Sequence, residues 1–378
     1  MYKPNRKIPC VYMRGGTSKA VFFNDGDLPK DVAERDKVIL SAFGSPDRRQ
    51  IDGMGGANTS TSKVAVIKKS ERPGIDVDYD FGQVDVNAPI VGKTMNCGNI
   101  SSAVGPYAID EGLVEAVEPM TEVHIFNTNT QKEIIEQVPV KDGRAVTEGD
   151  FAIDGVPGTA AKVTLKFVAP QGAASGKLLP TGHVKDTIEI EGKTYEYSFV
   201  DAANPVIFVH PEDFGVKGTE IPSEFNALPN CKEICRILEI IRGTGAITLG
   251  FAKNLEDARV NSQTLPKIAF ATRPVDYTAG SGKAIEKDKI DIVGRLFSVG
   301  MKICTVTAAN TPGTIVNEIA KETLKTDRIE HLRIGHPWGI MDAYADLKIN
   351  EDGTHEVLSG NLDRTARRIM EGYVYVRD

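Results

Sequence analysis

Short apolar segments that alternate with polar residues, each closed by glycine, proline, asparagine or aspartate, set the strongest limit on what this chain can fold into. The runs VHIF from Val123, AKVTLKFV from Ala161, TIEI from Thr187, YEYSFV from Tyr195 and IAFAT from Ile268 repeat with a period near two. That period puts one side chain into a core and the next outside it, as in half-buried strands. Turn residues, not long helices, separate these runs, which points to mixed and antiparallel sheet and away from a doubly wound parallel one. The expected class is α+β. Helical patterns are fewer and fall at 30–43, 101–111, 231–241, 290–308, 312–324 and 363–371. Thr311 and Pro312 offer a capping hydroxyl and a first-turn proline for one of them. The apolar stretch from Val293 to Asn310 reads as a helix buried on nearly every side. It would match, in the second half, a helix that follows Cys97 in the first.

A length of 378 residues exceeds one ordinary core and predicts two domains. The small-residue and proline-rich stretch PQGAASGKLLPTGH, 170–183, is the natural hinge, giving domains of 1–184 and 185–378 with a C-terminal helix that packs on the first. Hydrophobic residues at 41% and charged residues at 26% fit a globular protein, and no apolar run approaches the ~20 residues that span a membrane. No apolar leader pattern opens the sequence, so the expected location is cytoplasmic. Five cysteines spread from Cys10 to Cys304 do not make a disulfide framework, and reduced thiols are expected. A formal charge of −7, with both signs well mixed, excludes nonspecific binding to nucleic acid or anionic membranes. Cys231 and Cys235 lie one helical turn apart with no third ligand nearby, and the six histidines are scattered, so no metal is expected. A homo-oligomer is neither demanded nor excluded.

Cys97 is the residue with the most chemistry, because MNCGNISSAVG from Met95 places it where a strand gives way to a helix. A thiol at a helix start sees unpaired N–H groups and the positive end of the helix dipole, which favour a thiolate and also attract carboxylates. The plainer alternative is a small buried residue at a tight turn. Two glycine- and hydroxyl-rich segments, MRGGTSKAVFF from Met13 and DGMGGANTSTSKVAVI from Asp52, present Thr17, Ser18, Asn58 and Ser62 ahead of strands, the second just before Lys63. Small donors of this kind suit carboxylates, although loop structure alone explains them as well, and neither segment has the spacing of a phosphate loop. In RIGHPWGIM from Arg333, His336 stands at a rigid turn, as a ligand-binding group or as a local cap.

Taken together, RGGTSK from Arg14, GGANTSTSKVAVI from Gly55, NCGN from Asn96, TPGTIVN from Thr311, GHPWG from Gly335 and RTARRIMEGYVYV from Arg364 resemble the PrpF family, in this order along nearly the whole chain. The resemblance implies a diaminopimelate-epimerase-like fold of two similar domains, each a mixed sheet curled around a central helix. It also implies a site in the cleft between them and catalytic residues that fall on Lys63 and Cys97. Diaminopimelate epimerase itself uses two cysteines, whereas the second-half candidate, Cys304, lies in the expected buried helix with no glycine-rich turn. A two-thiol racemase is therefore disfavoured.

The activity implied is a cofactor-independent proton shift in a small unsaturated di- or tricarboxylate. The first choice is 3-methylitaconate to 2,3-dimethylmaleate. The alternatives are 2-methylaconitate cis-trans isomerisation and 4-oxalomesaconate tautomerisation, and from another class a non-catalytic partner of an aconitase-like enzyme. Removing an allylic proton beside a carboxylate leaves an anionic dienolate whose charge needs oriented donors, such as the backbone N–H groups of Gly98 and Asn99. Thr17, Ser18, Asn58, Ser62 and His336 are the candidates to hold carboxylates. Either Lys63 as a neutral amine or Cys97 as a thiolate is able to serve as the base, and the sequence does not choose.

Overall fold

The doubled glycine after Arg14 turns the first alternating run into a hairpin, β1 (Arg6–Gly15) and β2 (Ser18–Asn24), with Gly15 opposite Ser18. Gly16 sits at φ +50°, a backbone conformation that glycine adopts without strain. The computed structural model describes residues 6–304, 331–351 and 355–377. The chain packs as two units, Met1–Lys166 with Asp363–Asp378, and Phe167–Leu362. The units divide ahead of the glycine- and proline-rich stretch, not just after it at 184/185. That stretch is folded onto the second unit: Asp201 accepts hydrogen bonds from the N–H groups of Ala174 and Ser175, and Leu178 and Leu179 pack on a core cluster.

In the first unit the chain continues through α1 (Val32–Phe43), β3 (Lys63–Lys69), β4 (Val77–Val84), β5 (Val91–Gly92), α2 (Gly98–Ser101), α3 (Val104–Asp110), β6 (Met120–Asn127) and β7 (Lys132–Lys141). α1 starts where the Asp31 carboxylate caps the Glu34 N–H and stops at Gly44, φ +66°. The sheet is mixed. β1 pairs antiparallel with β2 and with the last strand, Ala366–Val376; β2–β3 and β4–β6 are parallel; β3–β4 and β6–β7 are antiparallel. Register assigns the two faces. Val21, Phe23, Val64, Val66 and Val84 share a core with Val38, Ile39, Ala42 and Phe43 of α1. Ala20, Lys63 and Gln83 stand opposite one another on the other face, with Phe81 and Tyr79 further along β4. α2 and α3 cover this second face, since a Cβ on Gly15 would meet the Asn99 carbonyl at 2.4 Å and the Phe22 and Tyr107 rings lie 5.2 Å apart.

α3 is fixed from below by Glu136 of β7, fully buried, whose carboxylate oxygen accepts the Gly105 N–H at 2.7 Å. A side chain at 105 would collide with that oxygen, so the close approach requires glycine there. Burial pushes the Glu136 carboxyl well above the usual range, which keeps it protonated where an unfolded glutamate has already ionised. Stability from this group is therefore greatest at acidic pH and declines as pH climbs past the unfolded value of about 4.3, by about 1.4 kcal/mol per unit until the folded group titrates. Glu136→Gln keeps an acceptor for Gly105 and removes the titration. Melting temperatures at pH 5 and pH 8 should move in favour of the variant as pH rises. A wild-type-to-variant difference that is the same at both pH values contradicts this.

In the second unit, strands Lys193–Ala202, Asn204–Val209, Lys267–Thr272 and Ile292–Ser298 form a sheet against which helix Cys231–Thr248 packs one apolar side. Cys231 and Cys235 are half-buried on that helix with sulfurs 4.0 Å apart, and burial pushes the Cys235 thiol up to about 12. Two expected helices are strands. The apolar run at 293 is Ile292–Ser298, buried on both faces between an antiparallel and a parallel neighbour, and it ends in a turn at Gly300 and Met301 with positive φ. A short apolar run looks alike in a buried helix and in a central strand. Cys304 follows the short strand Lys302–Ile303, its N–H on the Leu296 carbonyl, and is not within a helix. The expected C-terminal helix at 363–371 is the end of the strand His355–Arg364 and the start of the last strand, which pairs with β1 from Arg6–Val376 to Gly15–Ala366, where the tail YVYV and the edge of β1 outweigh a helix-prone start. The expected helix 312–324 lies outside the described residues. None of the described helices is long and apolar enough to cross a membrane.

Candidate active site

Cys97 is the residue before α2, with extended backbone angles, φ −124° and ψ 100°, and its own side chain caps nothing. Asn96 braces the turn. Its side-chain oxygen accepts the Cys97 N–H at 2.7 Å and the Ser101 hydroxyl at 3.1 Å. The Cys97 carbonyl accepts from the Ser101 N–H and hydroxyl, so backbone bonds hold the residue while its half-buried sulfur takes no hydrogen bond from the described residues. The first-turn amides of Gly98 and Asn99 have no acceptor within the helix.

Asn99 ties this helix start to the β1–β2 turn. Its amide donates to the Thr17 hydroxyl at 3.1 Å, and its oxygen accepts the Thr17 N–H at 3.4 Å and Nε of Arg364 at 3.2 Å. A Cβ on Gly16 would sit 2.2 Å from that same Asn99 oxygen, which explains why the turn carries two glycines. Arg14 belongs to the frame, its guanidinium donating to the carbonyls of Gly16 and Thr365 and the Thr365 hydroxyl.

Lys63 opens β3 on the face that α2 covers and is only 7% exposed. Its ammonium donates to Gln83 Oε1 at 2.6 Å and lies 5.3 Å from the centre of the Phe81 ring. Tyr79 is next on that face of β4, its ring 6.5 Å from Phe81, and its phenol is raised well above the ordinary value by burial and then by the nearby Cys97. Lys63 thus stands on the sheet face that α2, the helix started by Cys97, covers, and Tyr79 of that face feels the charge of Cys97. No hydrogen bond joins Lys63 and Cys97 among the described residues; the lysine's partner is Gln83.

Arg364 is the charged group that sequence reading passed over as a site residue. Burial lowers its guanidinium to about 10, opposed by the charges of Asp363 and Cys97, so it stays cationic at neutral pH next to the thiol. Gln83 was passed over as well.

Of the other candidates, Thr17 and Ser18 lie at the turn beside this cluster, Ser18 on the Lys63 face of β2. Ser62 does not join them: it is 0% exposed, and its hydroxyl donates to Gln50 Oε1 at 2.6 Å. Asn58 is exposed and closes its own turn, donating to the Gly56 carbonyl and accepting the Ser60 N–H. Both serve the loop that delivers Lys63. His336 belongs to the second unit, where it ends the strand His331–His336 and its Nδ1 accepts the Trp338 N–H at 3.2 Å. It caps its own turn.

Sequence and fold are both similar to those of known proteins. The sequence matches the PrpF protein family over residues 5–377. It is 47% identical to 3-methylitaconate isomerase of Eubacterium barkeri over 380 residues, covering 98% of this chain and 97% of that protein. It is 37% identical to 2-methyl-aconitate isomerase of Shewanella oneidensis, covering 100% and 98%. Among solved structures, a methylitaconate-delta-isomerase is similar with TM-score 0.79 at 44% identity, covering 99% of this chain and 96% of that one. A hydroxyproline epimerase from Agrobacterium vitis shares the fold at 12% identity and TM-score 0.56, covering 99% and 94%.

Proposed function

This chain belongs to the PrpF protein family and is an isomerase, and we propose that it interconverts 3-methylitaconate and 2,3-dimethylmaleate in the cytoplasm by a 1,3-proton shift. The observation that supports the reading is a buried lysine on the sheet face that the Cys97 helix covers, together with a cationic arginine that interacts with the Cys97 thiol and donates to Asn99 at the start of that helix.

The chemistry needs little more. The hydrogen on C3 of 3-methylitaconate is both allylic and next to a carboxylate. One member of the Lys63–Cys97 pair takes it as a proton, the electron pair spreads into a dienolate, and a proton is returned at the terminal methylene carbon, which becomes a methyl group. Charge and atoms balance without an oxidant or reductant. The dienolate is more anionic at its oxygens than the starting acid, so donors already aimed at those oxygens lower the barrier. Arg364, the Thr17 hydroxyl and the first-turn amides of Gly98 and Asn99 are the groups assigned to them.

Proton NMR in D2O with each acid in turn tests the assignment. Deuterium is expected in the methyl groups of 2,3-dimethylmaleate formed from 3-methylitaconate. Exchange into 2-methylaconitate but not 3-methylitaconate would transfer the activity to the tricarboxylate. A folded protein that binds these acids and exchanges none of them would be the accessory binder instead.

A further inference from the structure

Lys63 is held by a neutral partner at a position where a carboxylate would have held it more tightly. Gln83 Oε1 lies 2.6 Å from Nζ, while Gln83 Nε2 donates to the Ser62 carbonyl at 2.9 Å, which fixes the oxygen end of the amide toward the lysine. Gln83 is 9% exposed. Ser62 directly precedes Lys63 and is anchored to Gln50, so amide, strand start and loop form one closed arrangement. Phe81 lines the same side of the amine, and Ala20 is its neighbour on β2. The titratable and charged groups on this face and on the helices packed over it include Tyr79, Cys97, Arg364, Tyr107 and Asp110 of α3 and, beneath α3, Glu136. Among the described residues no carboxylate comes within ion-pair distance of Nζ.

We propose that Gln83 is a positioning residue that lets Lys63 alternate between ammonium and amine during turnover. The inference rests on the reading of Lys63 as a proton-transfer group, whether as base or as acid. In either role the nitrogen must gain a proton in one step and lose it in the other. An amide carbonyl accepts an N–H from both forms and so holds the nitrogen in place throughout. A carboxylate in its place would favour the ammonium, and an apolar side chain would leave a buried N–H without an acceptor and disfavour the charged form.

The test is the pH dependence of kcat for Gln83→Glu and Gln83→Met beside wild type and Lys63→Met, with folding checked by circular dichroism. Gln83→Glu should move the limb of the profile that belongs to Lys63 upward by about 1–2 pH units. The direction is the same for a base and for an acid. Gln83→Met should move that limb downward, which keeps the proposal testable where one variant folds poorly. KM should change by less than about threefold in both. A lower kcat with limbs in the wild-type position means that Gln83 is merely structural and overturns the proposal. If Lys63→Met turns over like wild type, the underlying reading of Lys63 fails instead.

Discussion

Replacing Cys97 with alanine lowers kcat for the isomerisation by about 10²–10⁴-fold, the range set by losing one positioned proton-transfer group. The structure separates this from a folding effect. Cys97 holds its place through backbone bonds to Asn96 and Ser101, and its sulfur makes no hydrogen bond with the described residues. Alanine keeps the backbone bonds and removes only a half-buried sulfur, so the melting temperature should fall by no more than a few degrees. Steady-state kinetics and a thermal melt on the same sample check both halves. If kcat stays within about threefold of wild type, Cys97 is a packing residue and the proton shift belongs to other groups.

Arg364→Ala raises KM by about 10–100-fold, the worth of a charge-assisted hydrogen bond to a substrate carboxylate. The guanidinium interacts with Cys97, carries its charge at neutral pH and reaches the helix start through Asn99, so its loss removes a cationic anchor there. Because Nε also donates to Asn99, alanine weakens the contact that sets the turn against α2. Arg364→Lys separates the two effects. It keeps the charge but loses the forked geometry, and KM should fall between wild type and the alanine variant with kcat changed less. A KM unaltered in both variants removes Arg364 from the site.

The sequence already contained much of this site, for identifiable reasons. Cys97 is singled out by a local signal, a glycine-flanked helix start, whereas Lys63, at the end of a hydroxyl-rich loop before an apolar strand, is singled out by the resemblance to the PrpF family. Asn58 and Ser62 share that loop, yet their side chains close it, to Gly56 and Ser60 and to Gln50. Composition does not distinguish a hydroxyl that builds a loop from one that faces a ligand. Arg364 was illegible for a different reason. It reaches Asn99 across 265 residues of sequence, from the end of the strand His355–Arg364, just ahead of the last strand's pairing with β1. Gln83 reads as an ordinary polar strand residue until register places it opposite Lys63.

The class of fold followed from period-two alternation, which depends on which faces are buried and survives uncertainty about topology. The strand at Ile292–Ser298 shows where that reasoning ends: with both faces buried, alternation disappears and the run resembles a buried helix. The C-terminal segment began with residues that favour helix, and its strand exists because the edge of β1 was available to pair with it.

The most direct measurement is a crystal structure with a bound, non-reacting unsaturated dicarboxylate. The account predicts Sγ of Cys97 and Nζ of Lys63 both about 3–4 Å from the ligand's allylic carbons, with a carboxylate on Arg364. A ligand that reaches only one of the two side chains, or that binds away from this face of the sheet, contradicts it.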